Sequence, residues 1–327
     1  MHKRQLGPFS VSAIGLGCMN LSHGYGHCEP EQAERLLLRA LELGYDLFDT
    51  AAVYGIGNNE TLLGRVLKPY RDQLTLASKC ALDGDATGKR IIDGSRENIH
   101  RMCDTSLLRL QTDVIDLYYL HRKDPSTEIE ESMDALADLK AQGKIRAIGL
   151  SEVSADTIRR AHAVHPVDAV QSEYSLWSRG AEREVLATCQ ELGITFVPFS
   201  PVGRGMLTGT LTLRTALSDS DLRSGMPRFQ PENFAHNLNV VRNFSVLAEE
   251  LGYSPAQLSL AWLLNKGSGH IPIPGTRDTA HLEENASASE IKLSAEEMEQ
   301  IEATINPSLI KGARYPPAAM REVDSEN

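Results

Sequence analysis

The chain has 327 residues, 41% hydrophobic and 24% charged, and its 33 basic against 44 acidic residues give a formal net charge of −11. That balance works against nucleic acid and anionic membranes as partners, and no apolar run approaches the roughly 18 residues of a membrane span. Met1-His2-Lys3-Arg4 runs into Pro8, Ser10, Ser12 and Gly15 rather than into a signal-peptide core, so the expected location is the cytoplasm.

Cys18, Cys28, Cys80, Cys103 and Cys189 are scattered and lack CxxC spacing, which argues for reduced thiols. Cys18, His23, His27 and Cys28 crowd one loop, but their spacing fits no zinc pattern and no metal is expected.

In chain order, Gly7-Pro8 between two short extended pieces predicts a hairpin over residues 3–11, with Val11–Leu16 as the first strand of the main sheet. Pro30 opens a helix over Glu31–Leu43, and Gly44 ends it. Strands are then predicted at Tyr45–Phe48, Leu74–Ser78, Val114–Leu120, Ile145–Leu150, Val167–Val170, Ile194–Phe199 and Ile271–Pro274. Between them lie helical patterns at Glu60–Leu67, Ser95–Leu110, Ile129–Gln142, Ala155–Val164, Glu182–Leu192 and Leu238–Leu251, with further helices at Pro255–Lys266 and Ala295–Ile305. The alternation favours a parallel sheet, closed or open, and the length matches a single (β/α)8 barrel with insertions. The long connection between Ser200 and Leu238 reads as a lid or binding loop. Residues 1–310 form the expected domain and 311–327 a partly flexible arm; Pro307, Pro316 and Pro317 make Asn306–Asn327 read as an extended arm whose last residues fray.

Each of these strands stops at a polar side chain or a glycine turn: Asp49, Lys79, His121, Ser151, Gln171, Ser200 and Gly275. Read singly, Asp49 could cap a turn, Tyr54 pack at a rim, Lys79 be solvated and His121 sit satisfied in a core. Read together they do not, because polar strand ends gather at the carboxyl mouth of a barrel, where active sites form.

Leu47-Phe48-Asp49-Thr50-Ala51-Ala52-Val53-Tyr54-Gly55, Ala77-Ser78-Lys79 and Leu117-Tyr118-Tyr119-Leu120-His121-Arg122 resemble the motifs of the aldo-keto reductase family. The likeness runs from about residue 5 to about residue 310. It implies a (β/α)8 barrel with an N-terminal hairpin, a long loop after the seventh strand and an extra C-terminal helix. The implied activity is NADPH-dependent reduction of aldehydes, with ketones a further class, of the alcohol dehydrogenase (NADP+) type. Hydride delivery to a carbonyl carbon leaves charge on oxygen, so an acid must lie within reach, and Tyr54 is the candidate donor. Lys79 is expected to pull the phenol down from its ordinary pKa near 10, Asp49 to counter the lysine, and His121 to orient the carbonyl oxygen.

The same resemblance implies a nicotinamide platform of Ser151, Gln171 and Tyr174, the first two on the carboxamide and the tyrosine stacked on the ring. Ser200, Gly203, Arg204 and Gly205 match the pyrophosphate loop, where glycine admits a phosphate and arginine supplies charge. Gly275, Thr276 and Arg277 match the 2′-phosphate site, with Glu284 and Asn285 toward adenine; His281 stands where many relatives carry arginine. Glu152 stands where many carry Asn, and this Ser-Glu form resembles a bacterial and plant subgroup that includes perakine reductase and auxin-induced-type proteins. Glu152 reads alternatively as a salt-bridge partner, and Arg277 as a solvated arginine.

No GxGxxG follows a strand, and HExxH and nucleophile-elbow motifs are absent from the sequence. Two other readings stay open: a Schiff-base lyase on the same barrel using Lys79, and an NADPH-binding regulatory subunit. Substrate walls are expected from Met19–Tyr25, Ala81–Asp83, Arg122, Trp177 and the Arg204–Phe229 loop, with Trp177 equally readable as core. They suit a small-molecule carbonyl substrate whose identity the loops do not name, and nothing in the sequence indicates an oligomer.

Overall fold

The computed structural model describes residues 1–84 and 90–326. Strands β1 (Lys3–Leu6) and β2 (Phe9–Ser12) form an antiparallel hairpin. There follow β3 (Leu16–Gly17), α1 (Pro30–Glu42), β4 (Leu47–Asp49), α2 (Asn58–Leu67), β5 (Thr75–Cys80), the antiparallel pair β6 (Leu82–Gly84) and β7 (Arg90–Ile92), α3 (Arg96–Leu110) and β8 (Ile115–Leu120). The second half adds α4 (Ile129–Ala141), β9 (Ile145–Ser151), α5 (Ala155–Val164), β10 (Ala169–Glu173), α6 (Val185–Leu192), β11 (Thr195–Phe199), α7 (Pro231–Glu250), α8 (Pro255–Lys266), α9 (Thr279–Ser287), α10 (Ala295–Thr304) and α11 (Pro317–Met320). Parallel pairing gives one seven-stranded sheet in the order β11-β10-β9-β8-β5-β4-β3.

Residues 271–274 join its two edges. Ile271 and Ile273 donate to the carbonyls of Phe196 and Pro198, each at 3.0 Å, while the carbonyls of Pro272 and Pro274 accept from Gly15 and Gly17 at 3.0 and 3.1 Å. Pro198, Pro272 and Pro274 have no N–H to give, so the seam carries a partial ladder and reads as irregular backbone, yet it closes the (β/α)8 barrel. Glycine is required where the seam is tightest: a Cβ on Gly17 would lie 2.8 Å from the Ile273 carbonyl, and one on Gly275 would lie 2.7 Å from that of Gly17.

Alternation along the strands sorts the core into two parts. Leu47, Ala77, Leu117, Tyr119, Ala147, Ala169, Val197, Ile271 and Ile273 fill the barrel, and Leu6 and Val11 of the hairpin belong to the same cluster. The intervening side chains, such as Leu76, Tyr118, Leu120, Ile148 and Val170, join the larger cluster that includes Leu36, Leu37 and Ala40 of α1. Among the described residues no helix is long and apolar enough to cross a membrane.

Three expectations need correction, and one pair of strands is new. Val11–Leu16 is not one strand: Phe9–Ser12 belongs to the hairpin and only Leu16–Gly17 pairs into the barrel, the Ser12 N–H turning to the Asp46 carboxylate at 2.5 Å. The helix expected from Leu238 begins at Pro231, whose place at N1 needs no N–H and whose N-cap Gln230 gives no capping side chain to read. The β6–β7 pair, which rims the mouth, was not anticipated. The tail, expected as an extended arm, carries α11 and packs down: the N–H groups of Asp324 and Ser325 both donate to the Glu152 carbonyl at 3.1 Å, and Val323 is buried. Asn327, the end of that arm, lies outside the described residues.

Candidate active site

The pleat that sends Leu47, Ala77, Leu117, Ala147, Ala169 and Val197 into the barrel sends Asp49, Lys79, His121, Ser151, Gln171 and Phe199 to its mouth, since each follows an interior residue by an even step. All but the fully buried Lys79 line one cavity of about 980 Å³, together with Tyr54.

Lys79 stands at the centre of this layer. Its ammonium donates to Asp49 Oδ1 at 2.5 Å and to the Thr50 carbonyl at 2.7 Å, and lies 3.4 Å from the Tyr54 hydroxyl. Gln171 Nε2 donates to the other Asp49 oxygen at 2.8 Å. Tyr54 meets the edge of His121 with ring centroids 5.8 Å apart and planes at 83°. The structure therefore brings together Asp49, Tyr54, Lys79 and His121.

Burial works against the Lys79 ammonium, but Asp49 and then Tyr54 hold its pKa above the ordinary lysine value. For Tyr54, burial pushes the phenol up, Lys79 pulls it back and Asp49 adds to the rise. The lysine acts in the expected direction but burial outweighs it, so the phenol keeps its proton at neutral pH rather than moving toward the working range. Burial lowers His121 well below its ordinary value, aided by Arg122, Lys79 and Arg90, which leaves a neutral imidazole. Among the described residues its buried Nδ1 has no hydrogen-bond partner, and the ring packs against Tyr54.

Of the cofactor-side residues expected, Ser151, Gln171, Ser200, Arg204, Gly205, Gly275, Thr276, Arg277, His281, Glu284 and Asn285 line the same cavity. Tyr174 does not: it is fully buried behind the barrel wall, its hydroxyl donating to Glu182 at 2.6 Å and its ring against Phe196, Trp262 and His270. The neighbouring strand β11 does bring an aromatic residue, Phe199, to the cavity wall. Gly203 is also outside the lining; it is glycine because a Cβ there would lie 2.9 Å from Trp177 Nε1. Trp177 is core, packed on Phe229 under Arg228.

Arg204 lines the cavity but is already engaged, its Nη2 donating to Glu173 Oε2 and to the Tyr315 hydroxyl, both at 2.9 Å. Glu173 also receives Arg314 at 3.2 Å, and Arg314 reaches Glu152 at 2.8 Å. Glu152 further accepts the Glu173 N–H at 2.7 Å and the Ser325 hydroxyl at 2.7 Å. Glu152 is thus a salt-bridge partner within a buried quartet that ties the tail to the turns after β9 and β10. Burial alone would raise Glu173, but Arg204, Arg314 and Arg228 hold it down at about 2.

Sequence reasoning missed Phe199, Asn59, and the tail residues Tyr315, Pro316, Ala319 and Glu322, which form part of the cavity wall. Asn59 accepts from the Thr50 hydroxyl at 2.6 Å and donates to the Cys18 carbonyl at 2.8 Å, fixing the turn that carries the Lys79 acceptor. Strand parity alone would have selected Phe199 over Tyr174; the tail carries no signal of that kind.

Residues 13–306 match the Aldo/keto reductase family. The chain is 42% identical over 309 residues to "Probable aldo-keto reductase 1" of Glycine max, covering 94% of this chain and 89% of that protein. It is also 42% identical over 322 residues to "Aldo-keto reductase yakc [NADP(+)]" of Schizosaccharomyces pombe, covering 97% and 95%. Among solved structures it is similar to the glycerol dehydrogenase AKR11B4 from Gluconobacter oxydans, with TM-score 0.84, 28% identity and coverage of 92% and 94%. It is similar as well to an aldo-keto reductase from Klebsiella pneumoniae in complex with NADPH, with TM-score 0.73, 27% identity and coverage of 96% and 98%. The chain belongs to the aldo/keto reductase family.

Proposed function

We propose that the protein reduces the carbonyl of aldehydes, with ketones a further class, using NADPH and Tyr54 as the general acid. The observation that carries this reading is the position of Lys79, between a carboxylate and a phenol at the wall of a cavity large enough for a dinucleotide and a small substrate. NADPH, when bound, supplies the hydride. Tyr54, protonated at neutral pH, donates to the carbonyl oxygen as charge builds there, and the Lys79 ammonium stabilises the phenolate left behind. The neutral His121 imidazole orients the same oxygen.

The cavity lining fits the cofactor residue by residue. Ser151 and Gln171 serve the carboxamide, Phe199 offers a ring face, Gly205 (φ +93°) lets backbone approach the pyrophosphate, and Thr276 with Arg277 serves the 2′-phosphate. Arg204 adds charge there while remaining tied to Glu173.

A Schiff-base lyase needs a neutral amine, and Asp49 holds Lys79 charged, which disfavours that reading. A purely NADPH-binding subunit would leave the Tyr54–Lys79 contact without a task. The five unpaired thiols fit the reducing cytoplasm. The test is NADPH oxidation across aromatic aldehydes, short aliphatic aldehydes, ketones and pyridoxal: turnover with at least one carbonyl class is expected, and NADPH binding without turnover on any of them would favour the regulatory reading.

A further inference from the structure

The arginines of the cavity wall differ in what balances them. Arg204 is paired with Glu173, Arg223 with Asp221 at 2.7 Å, and Arg90 with Glu322 at 2.7 Å. Arg277 and Arg122 have no carboxylate within ion-pair distance among the described residues, and Arg277 is the arginine read above as the 2′-phosphate ligand. Arg122 remains.

Arg122 is 7% exposed, lines the cavity and directly follows His121. Its Nη1 donates to two neutral oxygens, the His121 carbonyl at 2.7 Å and Ser151 Oγ at 3.3 Å, while its buried Nε has no partner among the described residues. The acid it influences, Glu152, is bonded to Arg314 instead. A buried guanidinium bonded to neutral oxygens lacks the counter-charge that normally accompanies a buried cation, and an anion in the cavity would supply it. Arg122 is bonded to the His121 carbonyl and to Ser151 and lines the same cavity as Tyr54 and His121, so an anion held there shares the cavity with the reacting carbonyl. Arg90, on β7 across the mouth, is half exposed and shares the cavity.

We propose that the carbonyl substrate carries an anionic oxygen group, a carboxylate or a phosphate, and that Arg122 binds it, with Arg90 assisting in competition with Glu322. This rests on the carbonyl-reductase reading and adds the substrate's charge to it. Planar donor pairs on a guanidinium match carboxylate and phosphate oxygens, which no uncharged aldehyde offers.

The experiment compares kcat/KM for succinic semialdehyde against butanal, and for glyceraldehyde 3-phosphate against glyceraldehyde, in the wild type, Arg122→Met and Arg122→Lys. The wild type should favour one charged member by about tenfold or more, the scale of one charge-assisted hydrogen bond, mainly through KM. Arg122→Met should bring that ratio near one, Arg122→Lys should restore part of it, and Arg90→Met should reduce it by about threefold. Which pair shows the preference separates carboxylate from phosphate. Equal kcat/KM within both pairs in the wild type, or equal losses on charged and neutral members in Arg122→Met, would overturn the proposal. Should Arg122→Met not fold, inhibition of wild-type butanal reduction decides: succinate or glycerol 3-phosphate should inhibit at least about tenfold more tightly than 1,4-butanediol, and parity would refute the assignment. Failure to reduce even the neutral aldehydes would instead strike the carbonyl-reductase reading itself.

Discussion

Two buried ionic clusters sit at the same barrel mouth and do different things. In the quartet of Glu152, Glu173, Arg204 and Arg314, two anions face two cations, and the carboxylates also accept from Ser178, Ser325 and a backbone N–H. In the Asp49–Lys79 pair, the lysine has a third neighbour that can titrate, the Tyr54 hydroxyl at 3.4 Å beside the cavity. Burying charge is costly in both places. The quartet uses it to hold the C-terminal tail as a wall of the site, and the pair to hold a cation next to the Tyr54 phenol, the proposed proton donor. What separates the proposed reactive cluster from the structural one is a remaining proton within reach of open space.

That contrast can be broken from either side. The largest effect is expected from Lys79→Met, which strands Asp49 in the barrel: unfolding free energy should fall by about 3–5 kcal/mol and kcat/KM by on the order of 10²–10⁴. Denaturant titration and steady-state kinetics read the two losses. Arg314→Met should cost about 3 kcal/mol, because Glu152 loses its cation while Glu173 keeps Arg204. It should expose the tail to protease while kcat/KM stays within about tenfold of wild type, since Glu152 and Glu173, the carboxylates that Arg314 bridges, are not members of the Asp49–Lys79–Tyr54 cluster. A loss as large as that of Lys79→Met would erase the distinction.

Acid and base sharpen the comparison. Glu173 is held at about 2 against an ordinary 4.5, so its contribution to stability is complete above pH 4.5 and is lost as pH falls toward 2. Lys79 is raised above its ordinary 10.5, so its contribution is complete below that pH and is lost only as pH climbs past the raised value. Tail proteolysis should therefore rise at the acid end, and protection with increasing acidity would contradict the quartet's role. The smallest effect is expected from Arg277→Ala: NADPH affinity should weaken by about tenfold with NADH affinity little changed, the scale of one charge-assisted contact, as read by fluorescence titration. An unchanged affinity ratio would remove the 2′-phosphate role.

Much of this was legible in the chain. Apolar strands ending on Asp49, Lys79, His121, Ser151 and Gln171 announced a barrel mouth because interior parity carries straight through to those residues. The same rule, applied to β11, points to Phe199; local motif resemblance pointed to Tyr174, whose parity turns it outward onto Trp262 and Glu182. The closing seam was seen as a strand, although its prolines prevent a full ladder. The tail was opaque for a different reason: Arg314 acts through ion pairs, and Tyr315 by accepting a hydrogen bond from Arg204, with residues more than a hundred positions away, and nothing local marks them.

The account depends on Tyr54 as the proton donor, and single-turnover reduction by Tyr54→Phe saturated with NADPH tests it most directly. Unchanged NADPH affinity with a hydride-transfer rate lower by on the order of 10²–10⁴ is the predicted result. A rate within a few-fold of wild type would show that the proton comes from elsewhere.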